Sequence, residues 1–144
     1  SLYEQLIQED ADVSSCGVMN VYANDESPQS ANQDDYFVCD SQTFLREYLI
    51  GEKIPGTICN KLIKREIATA LSFPKGLIYE DAYYHFDLIK LAKKYVVNTK
   101  PYYYYFHRGD SITTKPYAEK DLAYIDIYQK FYNEVVKNDF VLKR

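Results

Sequence analysis

Residues 73 to 85 constrain the fold more than any other stretch of the chain. Phe73-Pro74-Lys75-Gly76 reads as a turn, because Pro fixes φ and Gly supplies a conformation that other residues avoid. Leu77, Ile78 and Tyr79 form a short apolar run that can lie against a core. Two adjacent acids, Glu80 and Asp81, then open a strongly periodic helix. Tyr84, Leu88, Leu91 and Ala92 recur at spacings of three and four, and Phe86 and Ile89 widen the stripe. Free N–H groups and the helix dipole favour acids at a helix start, which accounts for the pair without any function. A helix mouth can also present one carboxylate to a cleft as a general base while its neighbour caps the helix.

The segments on either side give an alternating pattern. Residues 2 to 9 read as a helix broken by Asp10-Ala11-Asp12, and Val13 to Tyr22 as a strand of small and β-branched residues. Ala23 to Asp35 is a polar loop or hairpin tip, and Tyr36-Phe37-Val38 returns as a strand. Asp40 or Ser41 caps a helix that runs to Ile50 and ends at Gly51. Ile54 to Thr57 turns, Ile58 to Ile63 is a short extended piece, and Lys64 to Leu71 fits a helix with Ile67 and Leu71 inward. After the central helix, Tyr95-Val96-Val97 and Tyr102 to Phe106 read as two strands of a hairpin, joined by a turn at Asn98-Thr99-Lys100-Pro101. Arg108 to Thr114 is a polar loop, and Tyr117 to Val136 is a long helix. The sum is an α/β chain of short mixed strands and about five helices.

Composition excludes several functions. The chain has 144 residues, one domain or part of one, and its net charge of −4 is mixed along the sequence, without the basic face a nucleic acid would need. No apolar run reaches the roughly 18 residues that span a membrane. The three cysteines, Cys16, Cys39 and Cys59, are far apart and form no metal-binding spacing, so they read as reduced thiols of a cytoplasmic protein. Sixteen tyrosines and no Trp suit half-buried strands and grooves, a sugar-binding cleft among them.

Four pieces occur in order: Cys59-Asn60-Lys61-Leu62, Phe73-Pro74-Lys75-Gly76 followed by Glu80-Asp81, Lys100-Pro101 with Tyr102 to Tyr105, and Arg108-Gly109-Asp110-Ser111-Ile112-Thr113. Together they resemble the C-terminal half of a bacterial family 2 glycosyltransferase of cell-surface polysaccharide synthesis. The likeness covers most of residues 1 to 115, with residues 116 to 144 left as a C-terminal helix and tail. It implies the C-terminal portion of a GT-A fold, the acceptor-side half. The intact enzyme would transfer a sugar, with inversion, from a nucleotide-sugar such as a UDP-sugar to a growing polysaccharide or lipid-linked saccharide acceptor. It would work in the cytoplasm at the inner membrane face, touching the membrane peripherally through its acceptor.

By the same resemblance Asp81 is the first candidate for the base, and Glu80 the second or the residue that orients the acceptor. Arg108 would hold diphosphate oxygens in a bidentate fork, Ser111 would add a hydroxyl, and Lys61 would reach the phosphate or the acceptor. Each has a plainer reading: a solvated turn Arg, a turn Ser, a structural Asn60-Lys61 pair. His85 reads as a helix-surface residue, and His107 as a neighbour pointing away from Arg108. Cys59 stands where the family often carries Trp. The resemblance places the divalent cation, Mg²⁺ or Mn²⁺, on an acidic motif of the N-terminal half. Neither Asp10-Ala11-Asp12 nor Asp34-Asp35 reads as that motif, so this chain contributes no metal ligands and is inactive alone. With Ser1 in place of Met, it reads as processed, tagged or excised from a longer protein. The alternative is a non-catalytic sugar- or protein-binding module, or an oligomerisation piece in which an exposed apolar face drives homo-oligomers.

Overall fold

A computed structural model describes residues 1–108 and 119–137. Among them the chain is α/β, with five α-helices and a mixed sheet. The helices are α1 (Leu2–Gln8), α2 (Ser41–Ile50), α3 (Arg65–Ala70), α4 (Glu80–Leu91) and α5 (Ala123–Lys137). The strands are β1 (Val13–Val21), β2 (Glu26–Pro28), β3 (Tyr36–Asp40), β4 (Lys61–Ile63) and β5 (Lys94–Phe106). No helix among the described residues is long and apolar enough to cross a membrane.

The strand β1 lies at the centre. One of its edges pairs in parallel with β5, and the other carries β4 along Val13–Ser15 and β2 along Met19–Val21, both antiparallel. On the far side of β5, β3 pairs antiparallel with Lys94 to Asn98. Register pairs share a face, so Val13, Tyr95, Val97 and Phe37 point together towards α2 and α4. The Phe44 ring stacks on Tyr95 at 4.1 Å, and Leu45, Tyr48, Leu88 and Ala92 complete the layer. Ile127 and Phe131 of α5 are fully buried in the same core, beside Tyr48 and Phe86. Each such side chain contributes on the order of 1.5–3 kcal/mol by leaving water. Ser14, on the opposite face, donates to Gln5 of α1 at 3.3 Å.

Local chemistry sets the ends. The Asp40 carboxylate accepts from the Thr43 N–H at 2.8 Å, and Gly51 closes α2 in the left-handed region at φ 78°. Asp12 accepts from the Lys93 and Lys94 N–H groups and pairs with Lys64, joining three elements at one corner. Asp12 therefore acts as a structural clip.

The expected hairpin at Asn98 to Pro101 does not form. Residues 94 to 106 are one strand, parallel to β1 throughout, with register shifts on either side of Gly17. Pro101 sits opposite Gly17 in the irregularity, where its missing N–H leaves no ladder bond unmade. A turn and a bulge place the same demand on the sequence, an unpaired N–H. Thr99 is drawn out to Asp35, just before β3, where its N–H donates to the Asp35 carbonyl at 2.9 Å and its hydroxyl accepts from the Asp35 N–H at 3.0 Å. The apolar run before α4 also differs from expectation. Leu77 and Tyr79 are exposed, and Leu91 is exposed on α4 while His85 takes the buried place in the stripe. The polar stretch after β1 does turn back, with β2 as the return strand.

At Gly17 the two strands meet most closely, and any Cβ would overlap the Thr99 carbonyl oxygen. Backbone cannot yield as a side-chain tip can. Gly17→Ala is therefore expected to lower stability by about 1–3 kcal/mol or more, read as a lower urea midpoint. Gly56→Ala, with open space around the new methyl, should leave the midpoint within about 1 kcal/mol of the parent.

Candidate functional site

The mouth of α4 gathers the residues singled out in the sequence. Its N-cap is Tyr79, in the left-handed region at φ 60° and ψ 34°, with no side-chain hydrogen bond closing the cap. Neither acid therefore caps the helix. Glu80, its first residue, is exposed, whereas Asp81 is half-buried and its Oδ2 accepts from the Ile58 N–H at 3.2 Å. The carboxylate thus ties the 54–58 loop to the helix start.

Lys61 enters from β4, in register with Ser15. Its Nζ donates to the Pro55 carbonyl at 2.9 Å, the Thr57 carbonyl at 2.6 Å and the Asn60 Oδ1 at 2.8 Å. Three donors meet three protein acceptors, so in this structure the ammonium serves the loop rather than open solvent. Burial lowers its pKa to about 7, and the Asp81 carboxylate acts in the opposite direction. Asn60 is buried too, its amide donating to the Cys16 carbonyl and its own carbonyl accepting from the Cys16 N–H at 3.1 Å.

His85 lies one turn along α4 from Asp81 and is fully buried, not on the helix surface as its spacing suggested. Its ring stacks on Tyr48 at 4.6 Å. Nδ1 lies 2.7 Å from the Asp81 carbonyl, which can only accept, so Nδ1 carries the proton and Nε2 is left without a partner. Burial, with the Lys61 charge adding to it, holds the ring neutral well below the usual histidine range.

Tyrosines surround this cluster. Burial raises Tyr103, with the Cys59 thiol hydrogen-bonded to it and Asp81 adding a smaller push. Burial likewise raises Tyr48, and the fields of Tyr128, Asp81 and Tyr124 act on it in that order. Tyr103 belongs to the tyrosine-rich piece 102–105 of the sequence, but neither it nor Tyr48 was given a site role there. Just beyond β5, His107 stacks on Tyr22 at 4.4 Å and its Nε2 lies 3.0 Å from the Asn20 Oδ1.

The structure brings Asp81, Lys61 and Asn60 together. Arg108 is exposed at the end of β5, and no hydrogen bond or ion pair among the described residues joins it to Glu80 or Asp81. Ser111 lies outside the described residues, as do Gly109, Asp110, Ile112 and Thr113. No group of three His, Cys, Asp or Glu side chains that could hold a metal occurs among the described residues. The resemblance places the divalent cation that it implies on the N-terminal half of the intact enzyme. No protein-family model matches the chain, and no curated protein matches it.

The buried imidazole makes stability depend on pH in one direction. The unfolded chain binds the His85 proton near pH 6.5, whereas the folded chain binds it only at much lower pH. The unfolded state thus holds more protons below about pH 6.5, and the stability of the fold falls as the pH drops through that value. His85→Phe keeps a ring on Tyr48 and removes the proton. Its urea midpoint is expected to fall less than that of the parent chain between about pH 7 and 5, and equal slopes would refute the assignment.

Proposed function

We propose that this chain carries the acceptor side and the base of an inverting glycosyl transfer, with Asp81 as the base. The observation behind the reading is the setting of Asp81. A half-buried carboxylate sits at a helix mouth, anchored through one oxygen by the Ile58 N–H, within the field of the Lys61 ammonium and among tyrosine hydroxyls. Such a group is positioned without being sealed off, which general-base catalysis requires. Asp81 takes the proton of an acceptor hydroxyl as its oxygen bonds to the anomeric carbon. The bond from that carbon to the nucleotide diphosphate breaks with inversion, and the diphosphate leaves with the electron pair. Glu80, exposed beside it, orients the acceptor. The donor is a nucleotide-sugar, a UDP-sugar first, and the acceptor a growing surface polysaccharide or lipid-linked saccharide at the inner membrane face. Donor, cation and diphosphate contacts come from the N-terminal half of the intact enzyme, with Arg108 and Ser111 contributing from this half.

A second reading, a non-catalytic sugar- or protein-binding module or a self-associating one, is favoured by a different observation. Tyr102, Tyr104 and Phe106 stand exposed at every second position of β5.

Transfer assays decide between them. The full gene product that carries this chain is incubated with Mn²⁺, a panel of nucleotide-sugars and saccharide acceptors. Asp81→Asn should lower kcat by about 10²- to 10⁴-fold with an unchanged Tm, and the 144-residue chain alone should give no turnover. Full activity in Asp81→Asn would remove the base assignment and return the acid pair to a structural role.

A further inference from the structure

A recess of about 310 Å³ lies where the start of α4 meets the start of α5, lined by Tyr79, Asp121, Tyr124 and Ile125. Its geometry is unusual at Tyr79. Among the described residues only Asp10 and Tyr79 are non-glycine residues with positive φ. An aspartate tolerates that region, but a bulky aromatic there is an outlier that the surroundings must hold in place. Within the recess the Tyr79 hydroxyl donates to the Asp121 Oδ1 at 3.2 Å, and its ring meets Tyr124 edge-on at 5.3 Å and 71°. Tyr124 is fixed in turn by Tyr128, 4.4 Å away between ring centroids. The left-handed turn therefore places a ring in a built corner that a glycine, the easier residue for that backbone, could not furnish.

From this corner we infer a binding subsite for a pyranose ring, with Tyr79 and Tyr124 as its stacking walls and Asp121 as the acceptor for its hydroxyls. Two half-exposed aromatic rings near a right angle, an aliphatic Ile125 and one carboxylate match a ligand with an apolar C–H face and hydroxyls around its rim. The volume falls at the small end of ligand sites, the scale of one sugar unit. Tyr79 is two residues from Asp81 along the chain, at the same helix start. The identity of the bound sugar as the acceptor rests on the transferase reading; its binding does not.

The test uses this chain and the methyl glycosides of glucose, galactose and N-acetylglucosamine, followed through tyrosine-ring NMR signals assigned by single Tyr→Phe variants. At least one glycoside should shift the Tyr79 and Tyr124 signals. Tyr79→Gly keeps the left-handed backbone without strain, so it should fold as well as the parent yet bind at least roughly tenfold more weakly. Tyr79→Phe, which retains the ring, should stay within about threefold. The subsite is overturned if no glycoside moves these rings, if Tyr79→Gly binds unchanged, or if tetramethylammonium shifts them while the glycosides do not. Glycoside binding alongside full transfer by Asp81→Asn would sink the base and leave the subsite standing. Loss of transfer without glycoside binding would do the reverse.

Discussion

The parallel pairing of β1 with β5 is the contact on which the rest depends. Those two strands lie far apart in sequence, and everything between them must be accommodated before the pair can close. The closing is tight at one point, where Gly17 admits the Thr99 carbonyl. There β5 is allowed to bulge, so that Thr99 reaches Asp35 and brings β3 onto its outer edge. The helices α2 and α4 then cover the face shared by Val13, Tyr95 and Val97, and α5 closes over Tyr48 and Phe86.

The mouth of α4 inherits its order from that arrangement. The strand β4 docks on β1, which carries Lys61 inward and lets its ammonium gather the carbonyls of the 55–57 loop. A buried ammonium is costly unless its protons are matched, and here each finds an oxygen. The loop held in this way puts the Ile58 N–H against Asp81. A charge with a structural duty thus positions the carboxylate for which a chemical duty is proposed. The tyrosines are the boundary between core and cleft, because each has a ring that packs and a hydroxyl that needs a polar neighbour.

Much of this was legible in residues with one physical meaning. Asp40 before an apolar-periodic segment and Gly51 after it can hardly be other than a cap and a stop, and both took those roles. The central helix, the first strand and the turn at Gly76 followed for the same reason. Residues with two meanings misled. Asn98 to Pro101 fits a turn or a bulge, and the neighbour that chose between them, Gly17, is more than 80 residues away in sequence, counted from the two positions. Its place inside a strand pattern was the available signal for a close backbone approach. His85 was similarly ambiguous, since helical spacing places a residue on an angle of the helix but does not say how wide the covered arc will be.

Backbone chemistry and periodicity, both local, are what the amino-acid order determined alone: where helices start and stop, which segments extend, and that an acid pair opens α4. The tertiary structure decided that β5 is one strand, that Lys61 faces inward, that His85 is buried and that Tyr79 holds a left-handed turn beside Asp121. Each of these depends on a partner distant in sequence, and the free energy of burying or pairing a group exists only once that partner has arrived.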